Sequence, residues 1–390
     1  MIRNIRVITA ASFAAMLFLG IGSALIGAAA RDIGLTPEQI GFMLAVQNVG
    51  FGVAVAATGA LSDTHPKARL LLFGSLVLGA AFLAFYAWPG FLLNLLVMAF
   101  IGVGTGVYEG VTDALLFDLH TARAGFIINI NHLFVTLGSA TIALYLLFLA
   151  SQWRMAVIQA GAAVLLLAAF FARVHLPVRP GHQPGLREKL GIVARSRLIA
   201  VLFIGTIVAV GGEGTTIGVL TTYLAQTRGL SALHANIGLV IFLLGIAAGR
   251  LLIGVLARPH RIRRLLLALF ALSSLALTLY FVVDFGPFIW PATLLAGLSV
   301  SALLPLILAY AGLAFPHMAG TVMGAVKIAI PVGGILTALL LSALTALASF
   351  ETALLAMPAG LFLGLLLLAW LSRTQPASAG CVPIPGQQAS

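Results

Sequence analysis

Charge and cysteine are scarce in this chain. Of its 390 residues, 8% are Asp, Glu, Lys or Arg, and Cys381 is the only cysteine. A water-soluble domain carries about a quarter charged residues, so an ordinary solvated surface is excluded. One cysteine excludes a disulfide framework and any Cys-x-x-Cys metal spacing. Strands of alternating polar and apolar residues are missing, which excludes a transmembrane barrel. A folded basic domain of the kind that grips nucleic acid is missing as well. Gly102-x-Gly104-x-Gly106 follows no strand, so it is not a nucleotide-binding loop, and ATP hydrolysis is disfavoured with it. Small residues at that spacing let helices pack closely instead. A signalling sensor or scaffold would carry a large soluble appendage, and the sequence contains none. The chain is read as neither an enzyme nor a cofactor-binding protein.

What is present is apolar. Hydrophobic residues make up 61% of the chain, and the mean hydropathy is +1.14. Crossing the ~30 Å hydrocarbon core takes about 20 helical residues. Twelve runs reach that length, at roughly 6–30, 39–62, 70–88, 91–117, 123–150, 154–176, 198–226, 233–257, 263–283, 287–313, 320–347 and 350–372. The fold class expected is an all-α membrane protein of twelve transmembrane helices. Arg3, Arg6, the first run and Ala28-Ala29-Ala30 have the order of a secretory signal, but the run exceeds a signal core and is read as the first span. Trp88, Trp153, Tyr86 and Trp290, near span ends, read as interfacial anchors.

Lys and Arg fix an orientation. With both termini in the cytoplasm, Arg3, Arg6, Lys67, Arg69, Arg123, Arg173, Arg179, Arg187, Lys189, Arg195, Arg197, Arg258, Arg261, Arg263, Arg264 and Arg373 all fall inside. Only Arg31, Arg154 and Arg228 fall outside, and Arg250 and Lys327 lie within spans. That asymmetry satisfies the positive-inside rule and places a multi-pass protein in the cell's inner (plasma) membrane. The net charge of +11 is therefore topological. The expected partners are the lipid bilayer, a small-molecule solute and a proton or sodium, with no nucleic acid and the chain acting as a monomer.

The chain divides at its longest internal polar stretch. Residues 1–176 form a first six-helix bundle, 177–197 a cytoplasmic linker with Pro177, Pro180 and Pro184, and 198–373 a second bundle. Residues 374–390, rich in Pro, Ser, Gly and Gln, cannot bury a core and are expected to be disordered. A landmark recurs in both halves. Gly59-Ala-Leu-Ser-Asp63-Thr-His65-Pro-Lys67-Ala-Arg69 is answered by Gly254-Val-Leu-Ala-Arg258-Pro-His260-Arg261. Internal duplication around a central loop is how alternating-access transporters are built. The first copy resembles the signature loop of the major facilitator superfamily. The resemblance implies a twelve-helix fold of two pseudo-symmetric bundles, in which Gly59, Asp63, Lys67 and Arg69 form a cytoplasmic gate. The acid would cap a helix end and tie to basic residues. Arg258 replaces the acid in the second copy, so only the first is expected to latch. Plain capping with solvation is the alternative for Asp63.

Six ionisable residues stand inside apolar runs: Glu109, Asp113, His132, Glu213, Arg250 and Lys327. Charge in hydrocarbon costs several kcal/mol, so such residues pair, face a polar cavity or carry function. Glu109 and Asp113 share one helical face. Glu109 and His132 each lie about nine residues, or ~14 Å, from the turn near 118–123. Arg250 and Lys327 come to a similar depth. Carboxylates and an imidazole at one depth suit a proton relay through Glu109, Asp113 and His132. A static ion pair, Glu109 with Arg250 or with Lys327, is the alternative. Pro305 and Pro331 fall mid-span and are expected to kink their helices, as static bends or as hinges.

The surrounding sequence is similar to the fucose–galactose–glucose:proton symporter family. Gly102-Val-Gly104-Thr-Gly106-Val-Tyr-Glu109 resembles its fourth helix, Asn129-Ile-Asn131-His132 with Gly138 its fifth, and Gly212-Glu213-Gly-Thr-Thr-Ile217-Gly218-Val219 with Tyr223 its seventh. Gly245 and Gly249-Arg250 follow in the eighth. The resemblance implies that Glu109 couples protons or binds sugar, and that Asn129, Glu213 and Tyr223 line the solute site. Asp113 stands where the family has Asn, and Val219 where it has a Trp on which sugars stack. Arg250 and Lys327 resemble the cationic pair of carboxylate-transporting members. The function expected is proton-coupled uptake of a small, sugar-like polar solute, with an organic-anion carrier using Arg250 and Lys327 as the alternative. Drug efflux ranks lower, because Gly138 is followed by Ser-Ala-Thr and not by proline.

Overall fold

A computed structural model of the chain describes residues 2–148, 153–175 and 185–374. Pro177, Arg179, Pro180, Pro184, Cys381 and the rest of the C-terminal stretch lie outside the described residues. The described residues contain twelve apolar helical spans. The first six are α1 (Ile5–Ile33), α2 (Pro37–Leu61), α3 (Lys67–Ala84), α4 (Phe91–Leu119), α5 (Ala124–Phe148) and α6 (Trp153–Phe171). A short helix, α7 (Leu186–Arg195), follows. The second six are α8 (Arg197–Gln226), α9 (Ala232–Leu256), α10 (Ile262–Val282), then three interrupted spans. These are α11 with α12 (Ile289–Val300, Leu303–Ala314), α13 with α14 (Ala319–Lys327, Ala329–Leu347) and α15 with α16 (Phe350–Leu354, Ala356–Thr374). Among the described residues no β-strand forms.

Side-chain caps set the starts of three of the spans. Thr36 and Gln39 form a reciprocal capping box at α2, and Ser196 and Ser231 accept from the third helical N–H of α8 and α9. The interruptions have a covalent cause. Pro305 has no N–H to offer the Ser301 carbonyl four residues back, and Pro331 has none for Lys327. The tenth span accordingly breaks between Val300 and Leu303, and the eleventh between Lys327 and Ala329.

Helix pairing repeats between the halves. The first half packs α1 on α5, α2 on α4 and α3 on α6; the second packs α8 on α14, α9 on α11 and α10 on α16. Each pair joins the same two ordinal spans of its half. Lipid supplies no hydrophobic drive between helices, so close backbone packing takes its place. A Cβ on Gly102, Gly106 or Gly110 of α4 would lie 2.1–2.5 Å from Gln47 O, Phe51 O or Thr58 Oγ1 of α2, too near for any side chain. Buried apolar residues fall into two clusters, one within 8–174 and one running mainly through 198–371.

The halves meet through α2 on α13 and α5 on α9, a pair of contacts that also obeys the repeat. Both crossings lie toward the side bearing α7 and the 62–66 loop, here termed the linker side. A Cβ on Gly59 would come within 2.6 Å of Gly324 Cα, and one on Gly125 within 2.7 Å of Ala257 O. The linker side is thereby closed.

Candidate functional site

Glu109 and Asp113 lie one turn apart on α4, and α5 brings His132 against them. The break after Lys327 delivers that lysine from the other half. Lys327 is 1% exposed and Asp113 fully buried. Lys327 Nζ lies 2.6 Å from Asp113 Oδ2 and 2.9 Å from Glu109 Oε1, and also donates to the Glu109 carbonyl. His132 Nε2 lies 2.9 Å from Asp113 Oδ2 and 3.9 Å from Glu109 Oε1. Asn131 completes Asp113 by donating to Oδ1 at 2.7 Å. Asp113 is thus held by three partners. Glu109 has fewer: its buried Oε1 is ion-paired with the same ammonium, with His132 farther off.

A second network surrounds Arg250. Its Nε donates to Ser301 O at 3.1 Å, the carbonyl that Pro305 leaves free. Nη1 donates to His132 O at 2.7 Å and to Thr136 Oγ1, and Nη2 to Glu213 Oε1 at 2.9 Å. The two networks join at His132, through its imidazole on one side and its carbonyl on the other. Five of the six intramembrane ionisable residues therefore contact His132 or a direct partner of it.

A cavity of about 260 Å³ begins at Glu109, His132 and Arg250. It extends away from the linker side, past Thr105, Gln47, Asn48 and Ser23, with Phe51, Leu304 and Ile330 as apolar wall. Glu109 is the carboxylate that faces it. The amides of α2 were missed in the sequence, although adjacent Gln47 and Asn48 inside an apolar span were a visible signal.

Other expected residues sit elsewhere. Tyr223 does not line the cavity; its hydroxyl donates to Tyr280 O at 2.6 Å and accepts from Arg228 Nε at 2.8 Å. Asn129 turns to its own helix, donating to Gly125 O at 2.7 Å. In the 59–69 loop, Asp63 accepts from Gly320 N and Thr321 N, each at 2.9 Å, and from the Thr321 hydroxyl. Its basic partner is Lys189 of α7, at 3.3 Å, and not Lys67 or Arg69. Lys67 pairs with Asp118 at 2.8 Å, and Arg69 is exposed.

Ligand atoms of Glu109, Asp113 and His132 lie within 4.8 Å of one another, a donor set that could hold a cation. The cation beside them is the Lys327 ammonium.

The family model of the Major Facilitator Superfamily matches residues 7–211 and again 202–390. The chain belongs to the major facilitator superfamily. It is a multi-pass membrane transporter and not an enzyme. No curated protein matches it by sequence. Among solved structures, a variant of the E. coli fucose:proton symporter FucP superposes with a TM-score of 0.77 at 17% identity, over 94% of this chain and 99% of that one. The human organic anion transporter TETRAN gives 0.76 at 17%, over 94% and 100%. The proton:xylose symporter XylE, bound to 6-bromo-6-deoxy-D-glucose, gives 0.72 at 14%, over 96% and 97%. At such identities the likeness carries the fold alone.

Proposed function

We propose that this carrier takes up a small, neutral, polar solute of sugar size together with a proton, and that Glu109 is the proton-coupling group. The observation that carries this is the inequality of the two carboxylates. Asp113 is sealed by Lys327, His132 and Asn131, whereas Glu109 lines the cavity and has the Lys327 ammonium as its one close side-chain partner. Two carboxylates share one ammonium, so the cluster with a neutral imidazole is one positive charge short. A proton on Glu109 supplies it.

Three further observations support the reading. Arg250 is engaged by Glu213 and Lys327 by two carboxylates, which leaves neither cation unpaired for an organic anion. The ammonium fills the position a sodium ion would need, which favours a proton as the coupling ion. The cavity of about 260 Å³, with Gln47, Asn48, Ser23 and Thr105 on its wall, suits a small polar solute. By the distribution of Lys and Arg the linker side is cytoplasmic, so the cavity extends outward. Asp63, seated on the first N–H groups of α13, latches the cytoplasmic gate with Gly59.

The test pairs binding with transport. Purified protein is heated with neutral sugars, sugar acids and mono- and dicarboxylates. A ligand at a hundred times its Kd stabilises by about 2.7 kcal/mol, and a neutral sugar is expected to do so. Glu109→Gln in proteoliposomes is then expected to keep solute exchange and to lose accumulation driven by a pH gradient. Accumulation that survives in Glu109→Gln removes the coupling role, and stabilisation by carboxylates alone removes the neutral solute.

A further inference from the structure

The segment joining the two halves carries a helix with an unexpected register. On α7, Lys189 is 1% exposed while the adjacent Leu190 is 52% exposed. Helices that pack for burial do the opposite, placing leucine inward and lysine in water. Lys189 shares its inward face with Ile192 and Val193, three and four residues on, and both of these pack on the second-half core. The helix therefore spends an inward position on a charge.

That charge has one destination. Lys189 Nζ lies 3.3 Å from Asp63 Oδ2, with both side chains nearly inaccessible. Asp63 follows α2, in the first half, whereas α7 packs on α8 and α13 of the second. The other partners of Asp63, Gly320 N, Thr321 N and the Thr321 hydroxyl, open α13. Every contact holding the carboxylate thus comes from the opposite half, part from a helix N-terminus that attracts negative charge and part from the linker helix. Lys67 and Arg69, in the first turn of α3 just beyond Asp63, supply none of it.

We infer that Lys189 is a positioning residue of the gate: the linker helix is the second anchor of the Asp63 latch. The inference rests on the reading of Asp63 as that latch. Separating α2 from α13 opens the linker side and breaks the Lys189–Asp63 pair, so the open state forgoes a contact that the closed state makes. Lys189 therefore biases the carrier toward closure on this side, and the connection between the halves acts as a lock.

The test needs no solute. In full-length protein with Cys381→Ser, spin labels at Arg173→Cys and Arg264→Cys report the separation of the two halves on the linker side by pulsed electron resonance. Lys189→Gln is expected to raise the ratio of long to short distances about tenfold, within the usual range of coupling between sites. Lys189→Met, which keeps the apolar stem, should behave like Lys189→Gln, and Lys189→Arg should stay close to wild type. A merely packing lysine would be replaced by methionine without effect, so wild-type distances in Lys189→Met overturn the inference. Asp63→Asn shifting the ratio while neither neutral Lys189 variant does so also overturns it and leaves the Asp63 latch standing. No shift in any variant removes both. Should Lys189→Gln fail to fold, Asp63→Asn with Lys189→Gln leaves no buried charge unpaired. Its ratio should equal that of Asp63→Asn alone, and a double variant as closed as wild type overturns the proposal.

Discussion

Glu109 and Asp113 sit one helical turn apart, yet their surroundings give them different work. Asp113 is an anchor, with Lys327 at 2.6 Å, His132 at 2.9 Å and Asn131 at 2.7 Å. Removing one partner of a buried ion pair costs about 3–5 kcal/mol because the other charge is left uncompensated. Lys327→Met should therefore lower the melting temperature sharply, and adding Asp113→Asn should recover most of the loss. Thermal unfolding of both variants checks this, and a double variant no more stable than Lys327→Met would show that Asp113 is not the main partner. The sequence made the depth of these groups legible, since each helical residue advances 1.5 Å, and so it brought Lys327 level with Glu109. Azimuth was illegible. Asn129, Asn131 and His132 fall within about one turn of one polar stretch, but only Asn131 and His132 face α4, while Asn129 packs beside Gly254 of α9. The same holds for Tyr223: nothing local to α8 says that its hydroxyl faces Arg228 and Tyr280.

At the scale of the element, the two mid-span prolines do more than bend their helices. Each frees a carbonyl beside an intramembrane cation. The Ser301 carbonyl, released by Pro305, accepts from Arg250, so the break in the tenth span helps to hold the arginine that ties the second half to α5. The Pro331 break falls at Lys327 itself. Proline and its i−4 position are readable in any sequence; that the freed carbonyl meets a side chain 51 positions away is not. Pro305→Ala would give Ser301 O a helical N–H and set it in competition with Arg250. We predict a melting temperature that rises, since an interior proline costs a helix about 3 kcal/mol, and a solute exchange rate that falls several-fold. Equal exchange in Pro305→Ala and wild type, measured in proteoliposomes, would reduce the break to a static bend.

Across the whole molecule, the repeated pairing of helices leaves two packing units whose most extensive contacts with each other are two related crossings. α2 meets α13 as α5 meets α9, and closure on the linker side depends on backbones approaching where no side chain fits. Gly59 and Asp63 were legible as a landmark, because a loop motif is local. Their counterparts Gly320, Thr321 and Gly324 lie beyond 250 residues downstream, and local pattern does not record which distant helix a loop will meet. This arrangement makes a prediction that separates folding from state. A Cβ on Gly324 would stand 2.8 Å from Gly59 Cα, against backbone that has no flexible end to yield. Gly324→Val should therefore leave each half packed, since the three heavy atoms nearest that Cβ all belong to α2 of the other half, while forbidding the close crossing. The expected protein elutes and melts much like wild type, shows the linker side open by the same pair of spin labels, and does not transport, because alternating access needs both closed forms. A Gly324→Val protein that keeps the short distance and the wild-type rate would mean that the crossing is not what closes this side.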